Sequence, residues 1–162
     1  MMNISPAMGA VRQGFQDELL DRLVGNWSLT GTMGRRKLSQ DVGAEWVLGH
    51  RFLKIDFKDS PSESSGAPYE ATYYIGYDPS QSQYVCHLID SFGASFSKTL
   101  GFGKRTDAGI LFEFAYPDAF FENAFIWDRA TDTWKMVLRY RNLEGKWVPF
   151  AEKNLRRRQS AR

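Results

Sequence analysis

The sequence predicts an all-β protein, a closed antiparallel up-and-down barrel of about ten strands with an N-terminal helix plugging one end. Short segments of alternating apolar and polar residues recur about every ten residues from Trp27 onward, and turn-forming residues separate them. A helical period occurs once, ahead of the strands. Aromatic residues make up 15% of the 162 residues, an excess that suits pleated, half-buried surfaces.

Residues 1–13 show no periodicity and read as a disordered tail. Phe15, Leu19, Leu20, Leu23 and Val24 then fall on one helical face of about ten residues, which Gly25 ends. The expected strands are 27–33, 42–49, 51–58, 69–77, 83–90, 95–103, 109–116, 120–129, 133–141 and 147–155. Asp78-Pro79-Ser80, Ser91-Phe92-Gly93, Asp107-Ala108-Gly109, Pro117-Asp118, Ala130-Thr131-Asp132 and Glu144-Gly145 supply turns between them. The polar stretch 61–68 reads as a mobile loop. Ten strands without intervening helices cannot build parallel crossovers, and an open meander leaves two bare edges; closure removes both, and a sandwich is the alternative. Residues 14–157 form a single domain in this reading, and 158–162 form a basic, solvated tail.

The net charge of +2 and the scatter of basic residues argue against a nucleic-acid partner. Arg156, Arg157 and Arg158 are the one basic run, read as the solvated end of a strand. The single cysteine, Cys86, excludes an internal disulfide and a cysteine-based zinc site. No apolar run approaches the roughly 20 residues of a membrane span, and no signal-peptide pattern opens the chain, so the cytoplasm is the expected compartment.

Gly25-Asn26-Trp27, directly after a helix, resembles the opening motif of lipocalins and their calycin relatives. Further segments appear in an order similar to a lipocalin-like bacterial family known as domain of unknown function 1579. They are Trp46-Val47-Leu48-Gly49-His50-Arg51-Phe52-Leu53, Gly76-Tyr77-Asp78, Tyr84-Val85, Ile89-Asp90-Ser91-Phe92-Gly93 and Tyr116-Pro117-Asp118. The resemblance covers residues 20–157 and departs at His50, where the family more often has glycine, and at Leu88, where it often has tryptophan. It implies the barrel and no settled function. Heme-binding relatives carry a histidine on a late strand, and none follows His87 here.

Two histidines exclude a three-imidazole metal site, and no cofactor or metal is implied. Cys86 and His87 are neighbours on a strand and so face opposite ways, which rules them out as a nucleophile and its base. Asp90-Ser91 beside Gly93 lacks the nucleophile-elbow pattern, and Gly101-Phe102-Gly103-Lys104 is not followed by the helix a phosphate loop needs.

Polar residues that share an inner face with apolar ones mark the expected site. Arg51 follows the face of Leu53, Ile55 and Phe57, Asn123 that of Phe121, Phe125 and Trp127, Glu152 that of Val148 and Phe150, and Asp90 that of Cys86 and Leu88. Tyr73 and Tyr140 add hydroxyls. Arg51 is expected to point inward and pair with Glu152, Asp90 or both, because a buried guanidinium needs acceptors. The leading reading is binding of a small, largely apolar or amphipathic molecule in the lumen without catalysis. The alternatives are an isomerase or hydrolase using Asp90 or Glu152 as base, and a homodimerising module with a filled barrel.

Overall fold

The alternating segments form ten strands: β1 Gly25–Met33, β2 Arg36–Val47, β3 Phe52–Asp59, β4 Glu70–Asp78, β5 Gln83–Asp90, β6 Leu100–Arg105, β7 Gly109–Ala115, β8 Phe120–Asp128, β9 Thr133–Arg141 and β10 Trp147–Arg157. In the computed structural model, which describes residues 14–61 and 66–159, each strand pairs antiparallel with its sequence neighbours and β10 pairs with β1, closing the barrel. The expected tail at 1–13 and the centre of the expected loop at 61–68 lie outside the described residues.

Three boundaries differ from expectation. β2 starts at Arg36 and so brings Leu38 and Gln40 onto the inner face. β3 starts at Phe52, because Leu48, Gly49 and His50 all take positive φ and turn the chain sharply. His50, at φ 63, stands in the backbone region that favours glycine. A 3₁₀ turn at Ala94–Phe96 replaces the first half of the expected sixth strand.

The helix, α1 (Glu18–Asp21), is four residues long rather than about ten. The Asp17 carboxylate accepts from the Leu20 N–H at 2.9 Å, which fixes the start. At the other end the N–H groups of Arg22, Leu23 and Val24 bond back three residues, tightening the chain into the turn that β1 requires. Phe15 N–H donates to the His50 carbonyl at 2.9 Å, so the residues ahead of the helix are held against the β2–β3 turn.

This short element nevertheless closes one end. Leu19, Leu20 and Leu23 are buried in the core beside Trp27 and Trp134. Three indoles donate to it: Trp27 Nε1 to the Leu23 carbonyl at 2.7 Å, Trp134 Nε1 to the Arg22 carbonyl at 3.3 Å and Trp46 Nε1 to Asp21 Oδ1 at 2.8 Å. Arg157 completes the closure by donating to the carbonyls of Val24 at 2.8 Å and Arg22 at 3.0 Å. Gly25 takes φ +130, and a Cβ there would stand 2.6 Å from Arg157 Nη1. The glycine and tryptophan of the opening motif are therefore both matched to Arg157.

The basic run is accordingly not a solvated tail throughout. Arg158 pairs with Asp41 and donates through Nε to Ser28 Oγ at 3.0 Å.

The seam of the barrel, β1 against β10, sets Leu29 opposite Leu155 and Gly31 opposite Lys153. A Cβ on Gly31 would collide with the Glu152 carbonyl oxygen and the Lys153 Cα, so this close approach admits only glycine. Across the other side of β10 the register against β9 shifts between Pro149 and Ala151, a β-bulge at the place where proline cannot donate to the ladder.

Candidate ligand-binding site

The two halves of the barrel are filled differently. In the half nearest α1, Trp27, Leu29, Leu53, Ile55, Ile75, Phe112 and Met136 are fully buried, and the buried Tyr84 donates its hydroxyl to Asp17 Oδ2 at 2.5 Å. Toward the other end the inward residues Met33, Tyr69, Leu88, Tyr116, Phe121 and Leu138 stay only partly buried. Partly buried aromatic side chains thus form that end, the cup, and the buried polar residues Gln40, Asp59, Asn123 and Lys153 belong to the strands around it.

The bulge decides which charge of β10 is buried. Alternation from Val148 and Phe150 predicts Glu152 inside, but the extra residue reverses the parity, so that Ala151, Lys153 and Leu155 are buried and Glu152 faces solvent. Glu152 pairs there with Lys135 on the outer surface at 2.7 Å. Lys153 is 6% exposed, and its ammonium lies 5.6 Å from the centre of the Phe57 ring. Burial pushes the Lys153 amine down from its ordinary 10.5 to about 8, with Asp59 acting in the opposite sense.

Asp59 is held by two donors: Gln40 Nε2 to Oδ1 at 3.0 Å and the Tyr69 backbone N–H to Oδ2 at 3.0 Å. Arg36 approaches the same carboxylate at 4.0 Å from the rim. Tyr69 in turn donates its hydroxyl to Asp90 Oδ2 at 2.9 Å. Burial, then this bond, raises the Tyr69 phenol well above its ordinary range, so it stays a donor. Three buried side-chain polar atoms have no hydrogen-bond partner among the described residues: Gln40 Oε1 and Asn123 Oδ1 on these strands, and His50 Nε2 in the β2–β3 turn at the α1 end. Across the lumen, Phe121 packs against Tyr140 at 5.6 Å and Phe150 at 5.2 Å between ring centres.

Of the residues singled out from the sequence, Tyr73, Asp90, Asn123 and Tyr140 come together in this half of the barrel. Tyr73 stacks at a tilt on Phe57, ring centres 5.0 Å apart, and burial raises its phenol. Arg51, Trp127 and Glu152 do not join them. Arg51 lies in the β2–β3 turn at the α1 end, six positions before Phe57, or roughly 20 Å along the strand. It therefore pairs with neither Glu152 nor Asp90, since Glu152 is outside and Asp90 ends β5 at the opposite rim. Trp127 sits near the α1 end, donating to Asp132 Oδ1 at 3.1 Å beneath the Arg22 guanidinium.

Sequence reasoning missed Lys153, Gln40, Asp59 and Tyr69. Pro149 inside a strand was the available signal for the bulge, and Asp59 is the next inward step after Leu53, Ile55 and Phe57. Cys86 is fully buried with its thiol raised by burial, and His87 meets the Ser97 carbonyl at 3.1 Å. Two surface hollows also occur, one of about 460 Å³ beside Phe15, Tyr84 and Arg105 and one of about 320 Å³ over the bulge at Trp147 and Phe150. Lys153 lines neither.

A closed up-and-down barrel with a helix across one end, a glycine-x-tryptophan opening and a cup at the other end defines a lipocalin-like protein. The chain belongs to the family described as "Protein of unknown function (DUF1579)", whose model matches residues 13–157. No curated protein matches the chain. Among solved structures it is similar to the S-type phycobiliprotein lyase CPES from Guillardia theta, with 13% identity over 97% of this chain and 99% of that one and a TM-score of 0.60. It is also similar to Rv2717c from M. tuberculosis, with 16% identity over 97% of this chain and 100% of that one and a TM-score of 0.58. At these identities the likeness is one of fold. No helix among the described residues is long and apolar enough to cross a membrane.

Proposed function

We propose that the barrel binds a small, largely apolar or amphipathic molecule without catalysing a reaction on it. The apolar body lies against Phe121, Tyr140 and Phe150, and the polar end meets the group formed by Gln40, Asp59, Asn123 and Lys153, with Tyr73 and Asp90 beside it. The observation that carries this reading is the pair of unpartnered acceptors, Gln40 Oε1 and Asn123 Oδ1, on the strands around the partly buried aromatic side chains of the cup. A buried acceptor without a donor costs about 1–3 kcal/mol, which a ligand hydroxyl or N–H recovers. A lone buried thiol suits a reducing compartment, the cytoplasm.

The test is mass spectrometry of small molecules extracted from protein purified without denaturation, followed by titration of what is found. Retention of one apolar class, weakened about tenfold by Asn123→Leu or Gln40→Leu, supports the reading. Absence of any retained or titratable apolar compound overturns it.

A second reading, self-association, rests on a separate observation. Phe92 and Phe96 are 70% and 68% exposed beside Ile89, Leu100 and Phe102, a set of apolar side chains around the β5–β6 connection. A concentration-dependent dimer that Phe92→Ser with Phe96→Ser abolishes supports it, and a monomer at all concentrations removes it.

A further inference from the structure

The strands around the cup carry a nucleophile that simple binding does not require. Lys153 reaches from β10 past Gly31, which offers no side chain, to the face of Phe57 on β3. Among the described residues Asp59 is the charge that acts on it appreciably, and the inward neighbours on β9 and β1, Met136, Leu138 and Met33, are uncharged. An ammonium left there is poorly compensated, whereas a neutral amine is not.

We propose that Lys153 takes an apolar aldehyde or ketone covalently, as an imine, with Asp59 as the counter-ion of the protonated adduct. The inference rests on the binding role proposed above and names the ligand class. The nitrogen lone pair attacks the carbonyl carbon, the carbonyl π bond breaks, and the oxygen takes a proton to give a carbinolamine. The carbon–oxygen bond then breaks as water leaves and the C=N bond forms. In total R–NH3+ and O=CR'2 give R–NH+=CR'2 and H2O, so charge is conserved and no oxidant or reductant is needed.

Three features favour this chemistry over simple ion pairing with an acid. The amine, with its pKa near 8, is neutral in about a tenth of molecules at pH 7, where a surface lysine is neutral in far fewer. Gln40 Oε1 is a buried acceptor with no partner among the described residues, available to the carbinolamine O–H or the released water. Asp59 is already held by Gln40 and Tyr69, so the adduct's positive charge finds an oriented carboxylate.

The experiment is reductive trapping of the full chain with octanal and sodium cyanoborohydride at neutral pH, read by intact mass and peptide mapping. Octanol is titrated in parallel by displacement of an apolar fluorescent dye, and glyceraldehyde serves as the polar control. The expected result is one octanal adduct on Lys153, formed about tenfold faster than on any other lysine and absent with glyceraldehyde at that position. Lys153→Met and Lys153→Arg, each checked for an intact melting transition, lose the fast adduct. Adducts spread over the surface lysines, or an unchanged fast adduct in Lys153→Met, overturn the inference. Octanol binding without adduct at Lys153 overturns imine formation and leaves the binding role standing, and failure of both probes counts against both.

Discussion

The Arg157 guanidinium carbon stands 4.2 Å from the centre of the Trp27 ring, while its N–H groups reach the carbonyls of Arg22 and Val24 and the carboxylate of Asp132. One side chain near the C-terminus thus fixes the turn between α1 and β1. Replacing Arg157 by Ala is expected to cost about 1–3 kcal/mol, the sum of a stacked cation and charged hydrogen bonds that are partly solvated. At roughly 2–4 °C per kcal/mol, thermal unfolding resolves that loss. Arg157→Lys keeps the charge but not the planar fork, and is expected to recover less than half. An unchanged melting temperature in both variants would show that this contact carries no stability.

Stability should rise with pH across the range in which Lys153 titrates. The folded-state value near 8 lies below the ordinary 10.5, so between these values the unfolded chain binds more protons than the folded one. Below that window both states are protonated and the full burial penalty applies; through it the penalty disappears, a gain of about 3 kcal/mol. Cys86, Tyr69, Tyr73, Tyr84 and Tyr116 have raised folded-state values, so ionisation of the unfolded chain offsets the trend from about pH 9 and reverses it above about pH 10. Urea unfolding from about pH 7 to about pH 9, below the range in which Cys86 opposes it, measures the first part of the rise, about 1 kcal/mol, and Lys153→Met should abolish it. A flat profile for the wild-type protein contradicts a buried amine.

The seam between β1 and β10 should fail at Gly31. A Cβ there meets backbone atoms of Glu152 and Lys153, which cannot rotate away, so Gly31→Ala is expected to cost at least about 1–3 kcal/mol. The alanine has no adverse φ to explain the loss, which makes steric opening of the seam the cause. Hydrogen exchange of the β1 and β10 amides should accelerate in the variant, with β4 and β5 little changed.

Removal of residues 1–24 takes away the buried Leu19, Leu20 and Leu23, each contributing about 1.5–3 kcal/mol, together with the acceptors of the Trp27 and Trp134 indoles. The truncated chain is expected to lose its cooperative melting transition and to shift its tryptophan emission to longer wavelength. A cooperative transition at the wild-type temperature would show that the helix is not the plug.

The barrel was legible in the sequence because its evidence is repeated. Leu53, Ile55 and Phe57, or Phe121, Asn123 and Phe125, state the period-2 face independently on each strand, and an error in one is outvoted by the others. The site was less legible because a single position governs it. Lys153 and Glu152 are adjacent, and only the irregularity at Pro149–Ala151 decides which turns inward. Asp59 and Gln40 were missed for a related reason: they sit one or two steps beyond the strand limits that apolar residues marked. Arg51 was misassigned because alternation extended backward through a turn whose positive φ values end the strand.

The closure at the α1 end has a consequence for how the chain folds. The Arg157 contacts with Val24 and Arg22 span 133 and 135 residues, and the Trp134 contact spans 112. Such separations place the protein among slow, high-contact-order folders. During synthesis β1 must wait for β10, the last strand of the barrel, so its paired edge and the leucines of α1 stay uncovered until β10 has been made. Loss of β10, Trp147–Arg157, would leave that edge open permanently, and such a product is expected to aggregate rather than to persist as a smaller barrel.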